Sequence, residues 1–246
     1  MIRYKVTVNP RYERISSFIK TLPQHFDEGG QVLHNGRNQV RLLEVDGQRV
    51  VVKRYKVPMW HQRIDYTLFR PSKAKRAYLY GMRLLEMQID TPEPIAYIEE
   101  YSCGLFKVGY FISDYCSDAN AGTLRSDEHP SPQLTFAIAQ SLVSMHEKGF
   151  LHGDTNLSNF LYRKDDSPSG FHITTIDVNR SVFKQHASFS DCTKNLCRLT
   201  HVRPLLCQLV RQYAELRHWN PDETVHAVIA ELDAFERKRA LRKKFK

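Results

Sequence analysis

The chain has 246 residues, of which 41% are hydrophobic and 26% charged, and a formal net charge of +9. That length and apolar content support a sizeable core and exclude an intrinsically disordered chain. No apolar run approaches the roughly 18 to 20 residues of a membrane span, and the first ten residues lack the apolar stretch of a secretory signal, so a cytoplasmic protein is expected.

In chain order, residues 3–8 predict a short strand, and Asn9-Pro10 opens a helix with a capping residue followed by a proline in the first turn. Three strand-like runs follow at 31–34, 38–45 and 48–55, the last two joined by Asp46-Gly47, a strong hairpin signal. The turn between the first two, His34-Asn35-Gly36-Arg37-Asn38, has one glycine. Backbone amides at Gly36 and Asn38 could face a phosphate and Arg37 could add charge; an ordinary hairpin turn is the alternative. The run Val50-Val51-Val52-Lys53 is apolar, β-branched and ends in a lysine. This is the pattern of a strand whose Lys contacts nucleotide phosphates, although a lone Lys ending a strand is more often a solvated edge residue.

Ser72 caps a helix to about residue 88, with Ala77, Leu84 and Leu85 among its apolar positions, and Thr91-Pro92-Glu93-Pro94 ends it. Strand-like runs at 95–100 and 105–113 lead into Asp114-Tyr115-Cys116, where a linker would present backbone groups to an adenine ring. Residues 130–148 predict an amphipathic helix with Leu134, Ile138, Leu142 and Met145 on one face. Helices are expected at 189–202 and 204–216, and Asn220-Pro221-Asp222-Glu223 opens a last one with an arrangement close to a capping box.

The chemistry lies between these helices. Residues 151–161 read L-H-G-D-T-N-L-S-N-F-L, in which Asp154 is placed to orient or deprotonate an acceptor hydroxyl. Five residues later Asn159 can hold a magnesium ion, and Thr174-Thr175-Ile176-Asp177 is a second apolar strand ending in an acid that can chelate the same metal. Each has a bland reading: Asp154 as a turn former, Asn159 as a cap, Asp177 as the start of a turn. Together the order Lys53, Asp154 with Asn159, then Asp177 points to an ATP- and magnesium-dependent phosphotransferase. The expected fold class is α+β, protein-kinase-like and two-lobed. It comprises an N-lobe (1–113) with a small antiparallel sheet and one helix, a linker (114–116), and a mainly helical C-lobe (117–246) with a basic tail from 237.

Charge is concentrated in two blocks. Residues 237–246 hold seven bases and no acid, and residues 53–76 hold eight bases against Asp65, which leaves the remaining chain mildly acidic. The tail reads either as a solvated helix end or as a dock for an anionic membrane surface, with Leu241 and Phe245 among its bases. Nucleic acid is not an expected partner, since no recognition motif or stacking pattern is present. The five cysteines are odd in number, without a C-x-x-C pair, and the eleven histidines show no H-E-x-x-H pattern. Reduced, mostly buried thiols and no structural metal are therefore expected.

The combination of V-V-V-K-R-Y, T-P-E-P-I-A, H-G-D-T-N-L-S-N-F and I-D-V-N-R resembles the bacterial lipopolysaccharide kinases that phosphorylate Kdo or heptose in the inner core, over roughly 31–199. The resemblance implies an ATP and Mg2+ dependent sugar kinase acting on a glycolipid at the cytoplasmic face of the inner membrane. By the same resemblance Lys53 would bind phosphate, Asp154 would be the base, Asn159 and Asp177 would hold magnesium, and His152 would brace the loop. Asn156 stands where protein kinases place a Lys, and no A-P-E motif is found, which favours a glycan acceptor. The stretch 76–81 lacks the Glu that kinases pair with the strand lysine; Glu86 lies roughly 10 Å further along the helix. An atypical protein kinase and a non-catalytic nucleotide-binding module are the alternatives.

Overall fold

The computed structural model describes residues 1–244, and the chain divides into two compact units, Met1–Ser117 and Asp118–Lys246. In the first unit the elements are β1 (Ile2–Val8), a 3-10 turn (Pro10–Ile15), α1 (Ser16–His25), β2 (Gln31–Asn35), β3 (Gln39–Val45), β4 (Gln48–Arg54), α2 (Trp60–Leu68), α3 (Lys73–Glu86), β5 (Pro94–Ser102) and β6 (Leu105–Asp114). The six strands form one antiparallel sheet in the order β1-β5-β6-β4-β3-β2. Asp46-Gly47 turns β3 into β4 with both residues at positive φ (49° and 73°), the geometry that matches the twist of paired strands. Cys103-Gly104 does the same between β5 and β6.

Strand alternation sorts this sheet into two faces. Val50 and Val52 of β4 join Ile98 and Ile112 in a core with Ile15, Ile19, Leu22 and Phe26 around α1. Val51, Lys53 and Tyr55 therefore turn to the other side, where Tyr55 packs with Tyr97 and with Ala74 and Tyr78 of α3. Small residues let α3 sit close: a Cβ on Gly81 would lie 2.6 Å from Pro94, and one on Gly109 would lie 2.9 Å from Ala74. Sequence periodicity did not announce α2, none of whose residues is buried.

The second unit contains β7 (Ala119–Asn120), α4 (Pro132–Glu147), β8 (Phe150–Leu151), β9 (Phe160–Lys164), β10 (Phe171–Thr175), β11 (Val182–Phe183), α5 (Phe189–Leu196), α6 (Arg203–Leu216) and α7 (Pro221–Lys244). Its strands form two small sheets, β10-β9-β7 and β11-β8. The buried stripe of α4 includes Leu134, Ile138, Leu142 and Met145, as the spacing predicts. His146 on the same helix is buried between Tyr213 and Asn195. α5 stops at Leu196 rather than running to 202, and α6 begins anew with Pro204 in its first turn. Asn220 caps α7 by accepting from the amides of Asp222 and Glu223.

Among the described residues no helix is long and apolar enough to cross a membrane. All five cysteines are free thiols; Cys192 and Cys197 are buried, but Cys103 is exposed at the β5–β6 turn, so burial is less general than expected. Of the tail, Arg237, Lys238, Arg239 and Arg242 are exposed on α7, and Phe245 lies outside the described residues.

Candidate active site

The loop between β8 and β9 is built around one histidine. His152 is fully buried, its Nε2 donates to the Ile176 carbonyl at 2.9 Å, and its Nδ1 faces the Asp154 amide at 3.3 Å. Burial lowers its pKa from the ordinary value, so the ring is neutral and both hydrogen bonds are satisfied by one tautomer. Ser181 Oγ adds a bond to the His152 carbonyl at 3.0 Å. The 151–154 segment is thereby tied to the chain on either side of Asp177. Gly153 is required between them: its φ is +70°, and a Cβ there would lie 2.2 Å from the Arg180 carbonyl oxygen.

Asp154 carries an arginine on each carboxylate oxygen. Arg198 Nη2 reaches Oδ1 at 2.9 Å and Arg180 Nη1 reaches Oδ2 at 3.3 Å. The Asp154 carbonyl accepts from the Asn156 amide at 2.7 Å and from Asn159 Nδ2 at 2.8 Å. That last bond fixes the Asn159 amide so that Oδ1 is the atom left to a cation. The Ile176 amide in turn donates to the Asn159 carbonyl at 2.9 Å. His152, Asp154 and Asn159 are thus joined by hydrogen bonds to one another and to Ile176, the residue before Asp177.

Asp177 does not end its strand. β10 stops at Thr175, and Asp177 stands two residues on in the left-handed region (φ 60°, ψ 45°) at the start of a 3-10 turn, Val178–Arg180. Asp tolerates this conformation better than most side chains. Asn179, itself buried, donates its side-chain amide to Asp177 Oδ1. Among the described residues no cluster of three or more His, Cys, Asp or Glu side chains could hold a metal. The donors at hand, one carboxylate and one amide oxygen, suit a magnesium ion that keeps water and phosphate oxygens as its other ligands.

The other sequence-predicted residues belong to the first unit. Lys53 sits on β4, opposite Val40 of β3 and Phe111 of β6, with Nζ 5.5 Å from the Tyr55 ring centroid. The buried face of α3 is Ala74, Ala77, Tyr78, Gly81 and Leu84, without a carboxylate, and Glu86 is exposed. The 34–38 turn closes on itself: the Gly36 amide donates to the Asn38 carbonyl, the Asn38 side chain accepts from the Lys56 amide, and Arg37 is exposed. In the linker the amides of Asp114 and Tyr115 donate to the Glu93 and Arg49 carbonyls.

Sequence reasoning missed Arg198, which also donates to the Gly153 carbonyl at 2.7 Å, and Arg125, which bonds the Asn156 and Ser158 side chains at 2.7 Å each. Neither belongs to a local motif. Asn179 and Arg180 were visible only as two letters of I-D-V-N-R.

Residues 112–217, which contain the whole of this loop, Asp177 and both arginines on Asp154, match the model of the lipopolysaccharide kinase (Kdo/WaaP) family. That match spans 106 of the 246 residues and is a likeness over the second unit and the end of the first. The chain's fold is similar to that of the solved structure of WaaP in complex with acyl carrier protein, with a TM-score of 0.63 and 19% identity over 95% of this chain and 97% of that chain. The crystal structure of the Rio2 kinase-ADP/Mg2+-phosphoaspartate complex from Chaetomium thermophilum gives a TM-score of 0.47 and 13% identity over 91% and 75% of the two chains. No curated protein matches the sequence. The likeness to the WaaP structure agrees with the expected α+β fold class with an antiparallel sheet in the first unit. A cavity of about 830 Å³ in the second unit is lined by Thr123, Gln133, Tyr162 and Lys164 among others and includes none of the predicted site residues.

Proposed function

We propose that this chain transfers the γ-phosphoryl group of ATP to a hydroxyl of a Kdo or heptose sugar in the lipopolysaccharide inner core. The observation that carries the reading is the Asp154 carboxylate, held from two sides and joined through its own carbonyl to Asn159. Phosphoryl transfer asks little covalent chemistry of a protein and much positioning. An acceptor O–H donating to Asp154 aligns its oxygen with the phosphorus, and Asp154 takes the proton as the bond to phosphorus forms. Asn159 Oδ1 and the Asp177 carboxylate would hold magnesium, which neutralises charge on the phosphates when bound. Lys53 contributes a further cation to the nucleotide, and Gly36, Arg37 and Asn38 stand near its phosphates in this reading, with 114–116 at the adenine. His152 keeps the loop in register without reacting.

Arg180 and Arg198 beside the base favour an acceptor with an anionic group close to the reacting hydroxyl, such as the carboxylate of Kdo or a phosphate on heptose. The exposed bases of α7 suit an anionic membrane surface at the inner face of the inner membrane, where such a glycolipid is found. The test is transfer from labelled ATP to dephosphorylated lipopolysaccharide, run with and without acyl carrier protein. Asp154→Asn is expected to abolish transfer while nucleotide still raises the melting temperature. Transfer retained in that variant removes Asp154 as the base, and label entering protein alone replaces the glycan acceptor with a protein one.

A further inference from the structure

α2 is attached to the first unit by its polar side chains and turns its bulkiest apolar ones outward. Arg63 Nε donates to the Phe106 carbonyl at 2.7 Å, Thr67 Oγ1 accepts from the Phe106 amide at 2.9 Å, and the Tyr66 ring meets the Phe106 ring edge-on at 5.4 Å. Positions 63, 66 and 67 are one helix face. Leu68 falls on the opposite one, and Trp60, in the first turn, lies at the edge of the anchoring face; they are 67% and 73% exposed, and Val57, Met59 and Phe69 flank them at 49%, 68% and 79%. An ordinary surface helix does the reverse, burying its apolar stripe against the core.

Five of the fourteen exposed large apolar side chains among the described residues fall between 57 and 69, at the two ends of this one helix. Single exposed apolar residues need no explanation, but such a concentration along one short segment marks an interaction surface. Its electrostatics name the partner. The surrounding block 53–76 carries eight bases against one acid; Arg70 is paired with that acid, Asp65, at 3.3 Å, Arg54 is paired with Asp27 at 2.7 Å, and with Lys53 assigned to the nucleotide, Lys56, Arg63, Lys73, Lys75 and Arg76 give the segment its positive charge. Trp and Phe set among Lys, Arg and Met is the composition of a segment lying in the headgroup region of an anionic bilayer, where aromatic rings sit at interfacial depth and bases meet lipid phosphates.

We propose that residues 57–69 form an interfacial membrane anchor, with Met59, Trp60, Leu68 and Phe69 inserted among lipid chains and the flanking bases on the headgroups. This goes beyond charge attraction by the α7 tail, since it buries apolar area in the bilayer. It also stands apart from the catalytic reading, because insertion is measured with neither ATP nor acceptor, and its failure would leave the kinase assignment untouched.

The chain has two tryptophans, Trp60 and Trp219, and Trp219 is packed against Phe189 and Tyr213 in the second unit. In the full-length Trp219→Phe variant, Trp60 is the sole reporter. On adding vesicles of phosphatidylethanolamine and phosphatidylglycerol, its emission should shift to the blue and be quenched by lipids brominated along the acyl chain. Co-sedimentation of the otherwise unaltered chain with the same vesicles should fall about tenfold or more in Trp60→Asp/Phe69→Asp, with the unfolding midpoint unchanged; Phe69→Asp alone gives a milder form of the same test. The proposal is overturned if Trp60 is not quenched from the acyl chains, or if the double variant sediments like the parent, which would assign all binding to charge. It is equally overturned if Trp60 becomes shielded without lipid as protein concentration rises, which would make a second copy the occupant.

Discussion

Arg198 holds Asp154 by two points at once: Nη2 lies 2.9 Å from the carboxylate, and Nη1 donates to the carbonyl of the preceding Gly153 at 2.7 Å. Its guanidinium also lies 5.4 Å from the Phe235 ring, so α7 helps to place it. Arg180, by contrast, is half exposed and reaches the other carboxylate oxygen at 3.3 Å. One arginine fixes the base, and the other is free to exchange the base for an anion on the acceptor.

Arg198→Lys removes the planar two-point grip while keeping the charge. A carboxylate left to swing by an ångström loses on the order of a hundredfold in rate. Steady-state kinetics should show the loss in kcat with the KM for ATP little changed. Arg180→Gln should instead raise the KM for lipopolysaccharide, an effect that weakens with added salt. The two variants behaving alike would refute the division of labour.

Asn179 braces Asp177 from a buried position. Partners that orient a metal ligand are worth about tenfold or more in affinity. Asn179→Ala is therefore expected to raise the magnesium concentration for half-maximal activity by about that factor, with saturating magnesium restoring most of the rate. A variant whose magnesium dependence overlays the parent's would show that Asp177 needs no such support.

Gly47 and Gly153 share a left-handed backbone, at φ +73° and +70°, but differ in surroundings. A Cβ on Gly47 meets nothing within 4 Å, whereas one on Gly153 would strike the Arg180 carbonyl. Gly47→Ala should cost about 1 kcal/mol, the conformational term alone. At about 2–4 °C per kcal/mol for a chain of this size, its melting temperature falls a few degrees. Gly153→Ala should fall further and lose transfer activity, because the backbone that carries Asp154 must move. Equal melting shifts in the two variants would show that Arg180 gives way freely.

Stability should decline as the solution is acidified from neutral. Burial pushes the pKa of His146 down to about 4 from the ordinary 6.5, and His152 shifts the same way. Below pH 6.5 the unfolded chain binds protons that the folded chain refuses, so the contribution is complete above 6.5 and is lost as pH falls towards 4. For His146 it is on the order of 3 kcal/mol. Denaturant unfolding at pH 7.5 and pH 5 should show the drop, and His146→Gln should flatten the dependence while lowering stability at pH 7.5. An unchanged slope would mean that His146 takes up its proton without unfolding.

Features carried by neighbouring residues were readable in the sequence. Asp46-Gly47, the Asn9 and Asn220 caps, the apolar stripe of α4 and the 151–161 motif each depend on contacts within a few positions, so their letters predict their geometry. α2 escaped for a physical reason: it has no capping side chain, and its attachment through Arg63, Tyr66 and Thr67 reverses the apolar-inward pattern by which helices are read. Asp177 was expected at the end of a strand, but the chain leaves β10 at Thr175 and turns left-handed before reaching it.

The sequence by itself determined the order of elements and grouped His152, Asp154 and Asn159 in one loop, because spacing along eleven consecutive residues dictates what a single loop can present. Only the tertiary structure decided that Arg198, 44 residues beyond Asp154, holds its carboxylate, and that Arg125 reaches the Asn156 and Ser158 side chains. Such partners are chosen by which elements pack together, and a free energy shared among many distant contacts leaves no spacing to read.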